Sequence, residues 1–201
     1  MEEIISIDLF SGAGGLSTGF ERQGFQTVLA NDYQEDPLKT YKANHPDTST
    51  ICKDIRELSA EEIEQESGYS REDIQAIIGS PPCKGFSMAG ERDPDDPRNS
   101  LFEEYIRLVE QIQPEVLVME NVKGILSMKD GAYADKILEQ LRKLGYTVKY
   151  QVLNSADYGV PQTRERVIWI GWKNGGKISF PSPTHHGETG GQTTLKQGSN
   201  L

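Results

Sequence analysis

The residues best suited to covalent chemistry stand in three short stretches. Cys83 follows Gly79-Ser80-Pro81-Pro82 and precedes Lys84-Gly85-Phe86-Ser87. A thiolate is a strong nucleophile, and two prolines before it stiffen the loop and restrict where the sulfur can sit. A free cysteine is more often a small buried hydrophobe; Cys52, inside an apolar stretch, reads that way. Cys83 differs because it follows a rigid turn at the end of a strand. The second stretch is Met119-Glu120-Asn121-Val122, again at a strand end. A carboxyl group there is pushed towards its neutral form by burial, which suits proton donation. The third is Gln162-Thr163-Arg164-Glu165-Arg166, which leads into the last strand and could bring an arginine to Glu120. A purely structural Glu–Arg pair is the plainer reading, and the two are compatible.

A second group of residues suits a nucleoside. The first strand runs into Asp8-Leu9-Phe10-Ser11-Gly12-Ala13-Gly14-Gly15. Glycines after a first strand permit a tight turn and close backbone approach to a ligand, and a helix start favours anionic groups. The spacing is not the G-x-G-x-x-G of dinucleotide binders. The second strand ends in Asn31-Asp32-Tyr33, where an acid can accept from ribose hydroxyls and an aromatic ring can stack on a base. Asp54, after the third strand, can accept from an adenine amino group. Each has a plain alternative: Asp32 as a turn cap, Tyr33 as core, Asp54 as a helix N-cap. Their shared place at the ends of neighbouring strands favours a nucleoside.

These groups need a scaffold that lines up strand ends, and the hydrophobic pattern supplies one. Strands are expected over 3–10, 26–31, 50–52, 74–79, 116–121, 147–153 and 166–171. Helices are expected over 14–22, 37–44, 100–113 and 132–144, the last ending at Gly145. The alternation implies an α/β doubly wound, mostly parallel sheet, with the last two strands pairing near its edge. Beyond Phe180 a Pro-, Gly- and Thr-rich tail reads as loop, and His185 and His186 within it as ordinary loop histidines.

The 201 residues suit one domain, and 35% hydrophobic with 26% charged residues describes a soluble globular chain. No apolar run is long enough to span a bilayer, and the acidic start does not read as a signal peptide. Two cysteines without metal spacing point to a reducing cytoplasm and no metal site. The net charge of −10 is awkward for a DNA-binding protein. Much of the acid falls between Glu57 and Asp73, read as a surface helix away from any DNA.

Taken in order, Phe10 to Gly19, Pro81-Pro82-Cys83, Glu120-Asn121-Val122 and Gln162-x-Arg164-x-Arg166 resemble the motifs of the DNA cytosine-5 methyltransferase family. The resemblance covers about Ile4 to Gly171, and 154–162 and 180–185 also look like family sequence. It implies the S-adenosylmethionine-dependent, Rossmann-like methyltransferase fold with an antiparallel edge strand. It implies a cofactor site of Phe10, Ser11, Gly12, Gly14, Gly15, Leu16, Asp32, Tyr33, Asp54, Ile55, Pro81 and Leu101, with S-adenosylhomocysteine as product. Cys83 thiolate would add to C6 of a flipped cytosine in duplex DNA. Glu120 would hold and protonate the ring, and C5 would then take the methyl group. Arg166 would orient Glu120 and the ring carbonyl, and Arg164 would support the loop or a phosphate. The stretch 86–98 resembles a loop that closes over the base, with Lys84, Ser87 and Arg98 as DNA contacts. Lys84 stands where the family usually has Gln.

The family continues with a target-recognition region and further motifs that return to the cofactor side. The expectation is therefore an incomplete catalytic domain over 1–175, with 176–201 as a linker. Such a chain would be weakly active alone, with a C-terminal fragment or subunit as partner, in a cytoplasmic, nucleoid-associated, restriction-modification setting. An RNA cytosine-5 methyltransferase shares the chemistry. An amino-group methyltransferase would not need Cys83, a cofactor-binding remnant is favoured only by the length, and a nicotinamide enzyme would have different glycine spacing.

Overall fold

The computed structural model describes residues 3–82 and 100–185. Its centre is a seven-stranded sheet in the order β3-β2-β1-β4-β5-β7-β6. The strands are β1 (Ile4–Leu9), β2 (Phe25–Asp32), β3 (Ser49–Cys52), β4 (Ala76–Gly79), β5 (Val116–Val122), β6 (Tyr146–Asn154) and β7 (Glu165–Lys173). The first five are mutually parallel. At the other end β7 runs antiparallel to both β5 and β6. Helices α1 (Gly15–Glu21), α2 (Glu35–Asn44), α3 (Ala60–Ser67), α4 (Leu101–Ile112) and α5 (Ala132–Lys143) connect them.

Period-two alternation sends neighbouring strand residues to opposite faces. On one face Ile7, Leu9, Leu29, Ile77, Leu117, Met119 and Trp169 form a single core with α3, α4 and α5. On the other, Ala30 packs with Leu38 and Tyr41 of α2. The sheet is thus doubly wound, as its sequence pattern predicts. Helix α4 buries Phe102, Tyr105, Ile106, Leu108, Val109 and Ile112, a stripe at three- and four-residue spacing. It stops where Gln113 turns left-handed before Pro114. Tyr105 reaches under the sheet, its hydroxyl 2.9 Å from the Ile77 carbonyl and 3.1 Å from that of Val118. Gly145, with φ +90°, follows the end of α5, as the glycine there suggests.

Two expectations need adjustment. The acidic stretch after Glu57 is a shorter helix, α3, capped by Ser59, whose hydroxyl accepts from the Glu62 N–H, and ended by left-handed Gly68. Only its outer face is acidic, because Ala60 and Ile63 are buried. Cys52 is exposed rather than core: it is the last residue of edge strand β3, where no further strand covers it. Tyr33, 59% exposed, does not take its plainer reading as core, and its ring stays open to a ligand. No helix among the described residues is long and apolar enough to cross a membrane.

Candidate active site at the carboxyl edge of the sheet

Parallel register places the carboxyl ends of five strands side by side. Leu9 of β1 pairs with Asn31 on one flank and Gly79 on the other, Asp32 pairs with Cys52, and Gly79 with Met119. Residues following these positions therefore share one rim, the place where open α/β sheets bind ligands.

At the centre of the rim the chain turns sharply. Phe10, Gly12 and Gly14 all have left-handed backbones, with φ of 59°, 54° and 89°. For a bulky residue such as Phe10 this conformation is strained and needs its surroundings to hold it. Hydrogen bonds do so: Ser11 N–H donates to the Asn31 carbonyl at 2.9 Å, and Gly14 N–H to that of Ser11 at 3.0 Å. Asp32 contributes both carboxylate oxygens, one accepting from Gly12 N–H and the other from Gln34 N–H, each at 2.9 Å. It caps its own turn and also ties the glycine turn to β2. Ser11 Oγ is buried with no hydrogen-bond partner among the described residues.

The remaining rim residues divide. Tyr33 is open to solvent beside Asp32. Asp54 caps the short 3₁₀ turn Ile55–Glu57 through Arg56 N–H at 3.0 Å, and its carboxylate also pairs with the Arg56 guanidinium. Hydrogen bonds from Arg56 hold the Asp54 carboxyl down at about 2. Its plain role as a cap is therefore realised in this structure. Ile55 is a core residue, and Leu101 and Leu16 are partly buried.

Towards β5 the rim becomes reactive in character. Arg166 Nε lies 2.8 Å from Glu120 Oε1, and Arg164 Nη2 lies 3.9 Å from the same oxygen. Glu120 is 18% exposed in its side chain. Burial raises its pKa above the ordinary carboxylate value, while Arg166 and Arg164 pull the other way. The sequence places an arginine of this segment beside Glu120, and the structure brings both there. The Arg164 backbone is fixed by Asn154, whose Oδ1 accepts from Arg164 N–H at 3.0 Å and Ala156 N–H at 3.3 Å. Lys123 bridges to Glu165 at 2.9 Å and closes the β5 exit against β7.

Asn121, 2% exposed, donates from Nδ2 to the Pro81 carbonyl at 3.0 Å. Its Oδ1 accepts from the Val122 N–H at 2.8 Å. The end of the Pro-Pro loop is thus tied to the residue next to Glu120. Sequence reasoning gave Asn121 no role; a polar residue within an otherwise apolar strand was the available signal. It also missed Asp8, inside the apolar run of β1. Asp8 is fully buried and accepts from Ser17 Oγ at 2.6 Å, with Tyr41 OH donating to Ser17 at 2.7 Å. Cys83, Lys84, Ser87 and Arg98 lie outside the described residues, as does His186. Among the described residues no cluster of His, Cys, Asp or Glu has the arrangement of a metal site.

Comparison with known proteins agrees with this arrangement. The family model of C-5 cytosine-specific DNA methylases matches residues 4–198. The Type II methyltransferase M1.HphI of Haemophilus parahaemolyticus is 46% identical over 182 residues, 89% of this chain and 48% of its own length. M.XorII of Xanthomonas oryzae is 41% identical over 97% of this chain and 45% of its own. A crystal structure described as a DNA modification methyltransferase encoded within a prophage (E. coli) superposes with a TM-score of 0.75 at 35% identity. That superposition covers 85% of this chain and 47% of the prophage protein. The chain thus spans about half the length of these relatives. A match over nearly all its residues, with a seven-stranded sheet that gathers the motif residues on one rim, shows that the chain belongs to the C-5 cytosine-specific DNA methylase family.

Proposed function

We propose that this chain carries the methyl-transfer site of an enzyme that methylates C5 of cytosine in duplex DNA. The observation that carries the reading is the Glu120–Arg166 pair, together with the Asn121 tether that holds Pro81 beside it, two residues before Cys83. Relatives named as Type II methyltransferases support DNA as substrate in a bacterial, cytoplasmic restriction-modification role.

The glycine turn fits the family's cofactor. A left-handed Phe10-Ser11-Gly12 corner, the buried unpartnered Ser11 hydroxyl and exposed Tyr33 beside Asp32 offer backbone, hydroxyl and ring to a nucleoside. In this reading Phe10, Ser11, Gly12, Gly14, Gly15, Leu16, Asp32 and Tyr33 hold it, with Asp54, Ile55, Pro81 and Leu101 bordering it. S-adenosylmethionine, when bound there, supplies an electrophilic methyl group.

The chain's residues do the rest. Cys83 Sγ, as thiolate, forms a bond to C6 of a base turned out of the duplex. Glu120, held towards its neutral form by burial, gives its proton to ring N3, so the added electron pair gathers at C5 as an enamine. Arg166 orients the Glu120 carboxyl through Nε while Nη1 donates to the Glu165 carbonyl, and in this reading its guanidinium also orients the ring carbonyl. After C5 is alkylated, the C5 proton passes to water as the C5–C6 double bond re-forms and the C6–S bond breaks, and the N3 proton returns to Glu120, so thiolate and acid are both restored. Lys84, Ser87 and Arg98 would contact the DNA backbone. Residues 1–175 form the catalytic domain and 176–201 a linker, with a C-terminal target-recognition segment as partner.

Covalent trapping tests this. DNA containing 5-fluorocytosine cannot release the adduct, because fluorine replaces the C5 proton. With S-adenosylmethionine present, the expected result is a denaturation-resistant protein–DNA band, lost in Cys83→Ser. The assay is run with and without the C-terminal half of a relative such as M1.HphI. A band that persists in Cys83→Ser would sink the mechanism.

A further inference from the structure

The glycine turn is held from behind by a histidine that the proposed chemistry does not use. His45, the residue after α2, is 5% exposed. Its Nδ1 lies 2.8 Å from Glu21 Oε2 at the end of α1, and its Nε2 lies 3.3 Å from Thr18 Oγ1. Thr18 in turn donates to the Gly14 carbonyl at 2.9 Å. The ring also occupies the space beside Gly14 itself. A Cβ at Gly14 would stand 2.5 Å from His45 Nε2 and 2.8 Å from Tyr41 Cδ2. The Tyr41 and His45 rings are stacked at a tilt, 4.5 Å between centroids. Tyr41 continues through Ser17 to Asp8 at the base of the same turn.

We propose that His45 is a positioning residue for cofactor binding, seating the Gly12–Gly15 turn through Gly14 and Thr18. This rests on the assignment of that turn to the cofactor. The geometry gives the ring two fixed partners, Glu21 and Thr18, on the helix that the turn opens into, so its orientation is set before any ligand arrives. A turn with two left-handed glycines, entered from left-handed Phe10, has many looser alternatives, and a ring packed on Gly14 removes them. Preorganisation of this kind strengthens binding without a contact to the ligand. Gly14 is required here for two reasons: its φ of +89° and the ring that takes the place of its side chain.

The test measures S-adenosylhomocysteine affinity by calorimetry and amide hydrogen exchange of the Gly12–Leu16 segment in the free chain. His45→Ala should weaken binding on the order of tenfold and speed exchange in that segment. His45→Gln, which keeps a polar group near Thr18, should recover most of the affinity. Ile63→Ala serves as the control, because Ile63 of α3 is fully buried in the core on the other face of the sheet, which includes no residue of α1 or α2. It should lower the melting temperature while leaving affinity within about twofold. Binding unchanged in His45→Ala, or weakened equally in Ile63→Ala, overturns the positioning role alone. Failure of the unaltered chain to bind S-adenosylhomocysteine overturns the cofactor assignment, and the proposal with it.

Discussion

Arg166 stands opposite Val122 in the β5–β7 ladder, so it is a diagonal neighbour of Glu120 on the same sheet face, with Nε 2.8 Å from Oε1. The acid and its partner are therefore set by antiparallel register and not by a loop. Removing the guanidinium leaves the burial of Glu120 in place and takes away the largest influence that lowers its pKa. In Arg166→Ala the Glu120 carboxyl should titrate at higher pH than in the parent chain. Arg166→Lys should fall between, because lysine restores charge without the planar fork. Carbon-13 NMR of labelled glutamate side chains reads the midpoint directly. Where turnover is measured, the alanine variant should be slower by roughly 10²-fold. An unmoved midpoint would show that Arg166 does not tune Glu120.

Asp8 predicts a pH-dependent stability. Desolvation raises its pKa from 3.8 to about 7, with Asp32 and Glu21 adding to the rise and Ser17 opposing it. One carboxylate oxygen has no hydrogen-bond partner among the described residues. The folded chain thus favours the neutral acid. The stability this contributes is fully present below about pH 4 and is lost as pH rises through about 7. A shift of that size corresponds to at most roughly 4 kcal/mol. Asp8→Asn keeps the shape without the titration. Urea unfolding at pH 5 and pH 8 should show the parent chain losing several-fold more stability than the variant. Equal losses would mean that Asp8 does not titrate in this range.

Much of this architecture was legible because the two periodicities, of strand and helix, are clean. All seven strands and α1, α2, α4 and α5 fall within a few residues of their expected places. Glu120 and the two arginines were legible too, since strand order fixes which ends are neighbours. What escaped depends on side chains meeting across the sheet face or between helices. The Asn121–Pro81 tether, the Asp8–Ser17–Tyr41 chain and the His45 contacts join residues 9 to 40 positions apart. No local spacing encodes such contacts. Cys52 misled for a related reason: apolar neighbours say that a strand exists, not that it lies at the sheet edge.

The Asn121 tether gives a stability prediction with a chemical readout. Asn121→Ala leaves the buried Pro81 carbonyl and Val122 N–H without their partner. The cost should be about 1–3 kcal/mol in chemical denaturation. Asn121→Asp keeps the acceptor for Val122 but loses the donor to Pro81, and places a charge beside Glu120. It should be no better than alanine above pH 6. Both variants should also change the rate at which Cys83 reacts with iodoacetamide, because the loop leading to it has lost its anchor. A Cys83 rate identical to the parent's would separate the tether from the nucleophile.

Two glycines in neighbouring parts of the fold should respond in opposite directions to the same substitution. Gly79 ends β4, and a Cβ there would stand 2.8 Å from the Leu9 carbonyl oxygen and 3.0 Å from Tyr105 Cε2. The first of these is backbone within the β1–β4 ladder, so it cannot swing away. Gly79→Ala should therefore destabilise by about 1–3 kcal/mol. Trimming the ring in Gly79→Ala/Tyr105→Leu cannot relieve the Leu9 contact and would forfeit the hydroxyl contacts to Ile77 and Val118. Gly19, inside α1, has open space where its Cβ would be and an exposed position. Gly19→Ala should stabilise by about 0.5–1 kcal/mol, because alanine restricts the unfolded chain and favours the helix. Thermal melts of the two single variants read both signs, and a stabilising Gly79→Ala would mean that β1 and β4 are looser at their carboxyl ends than the register implies.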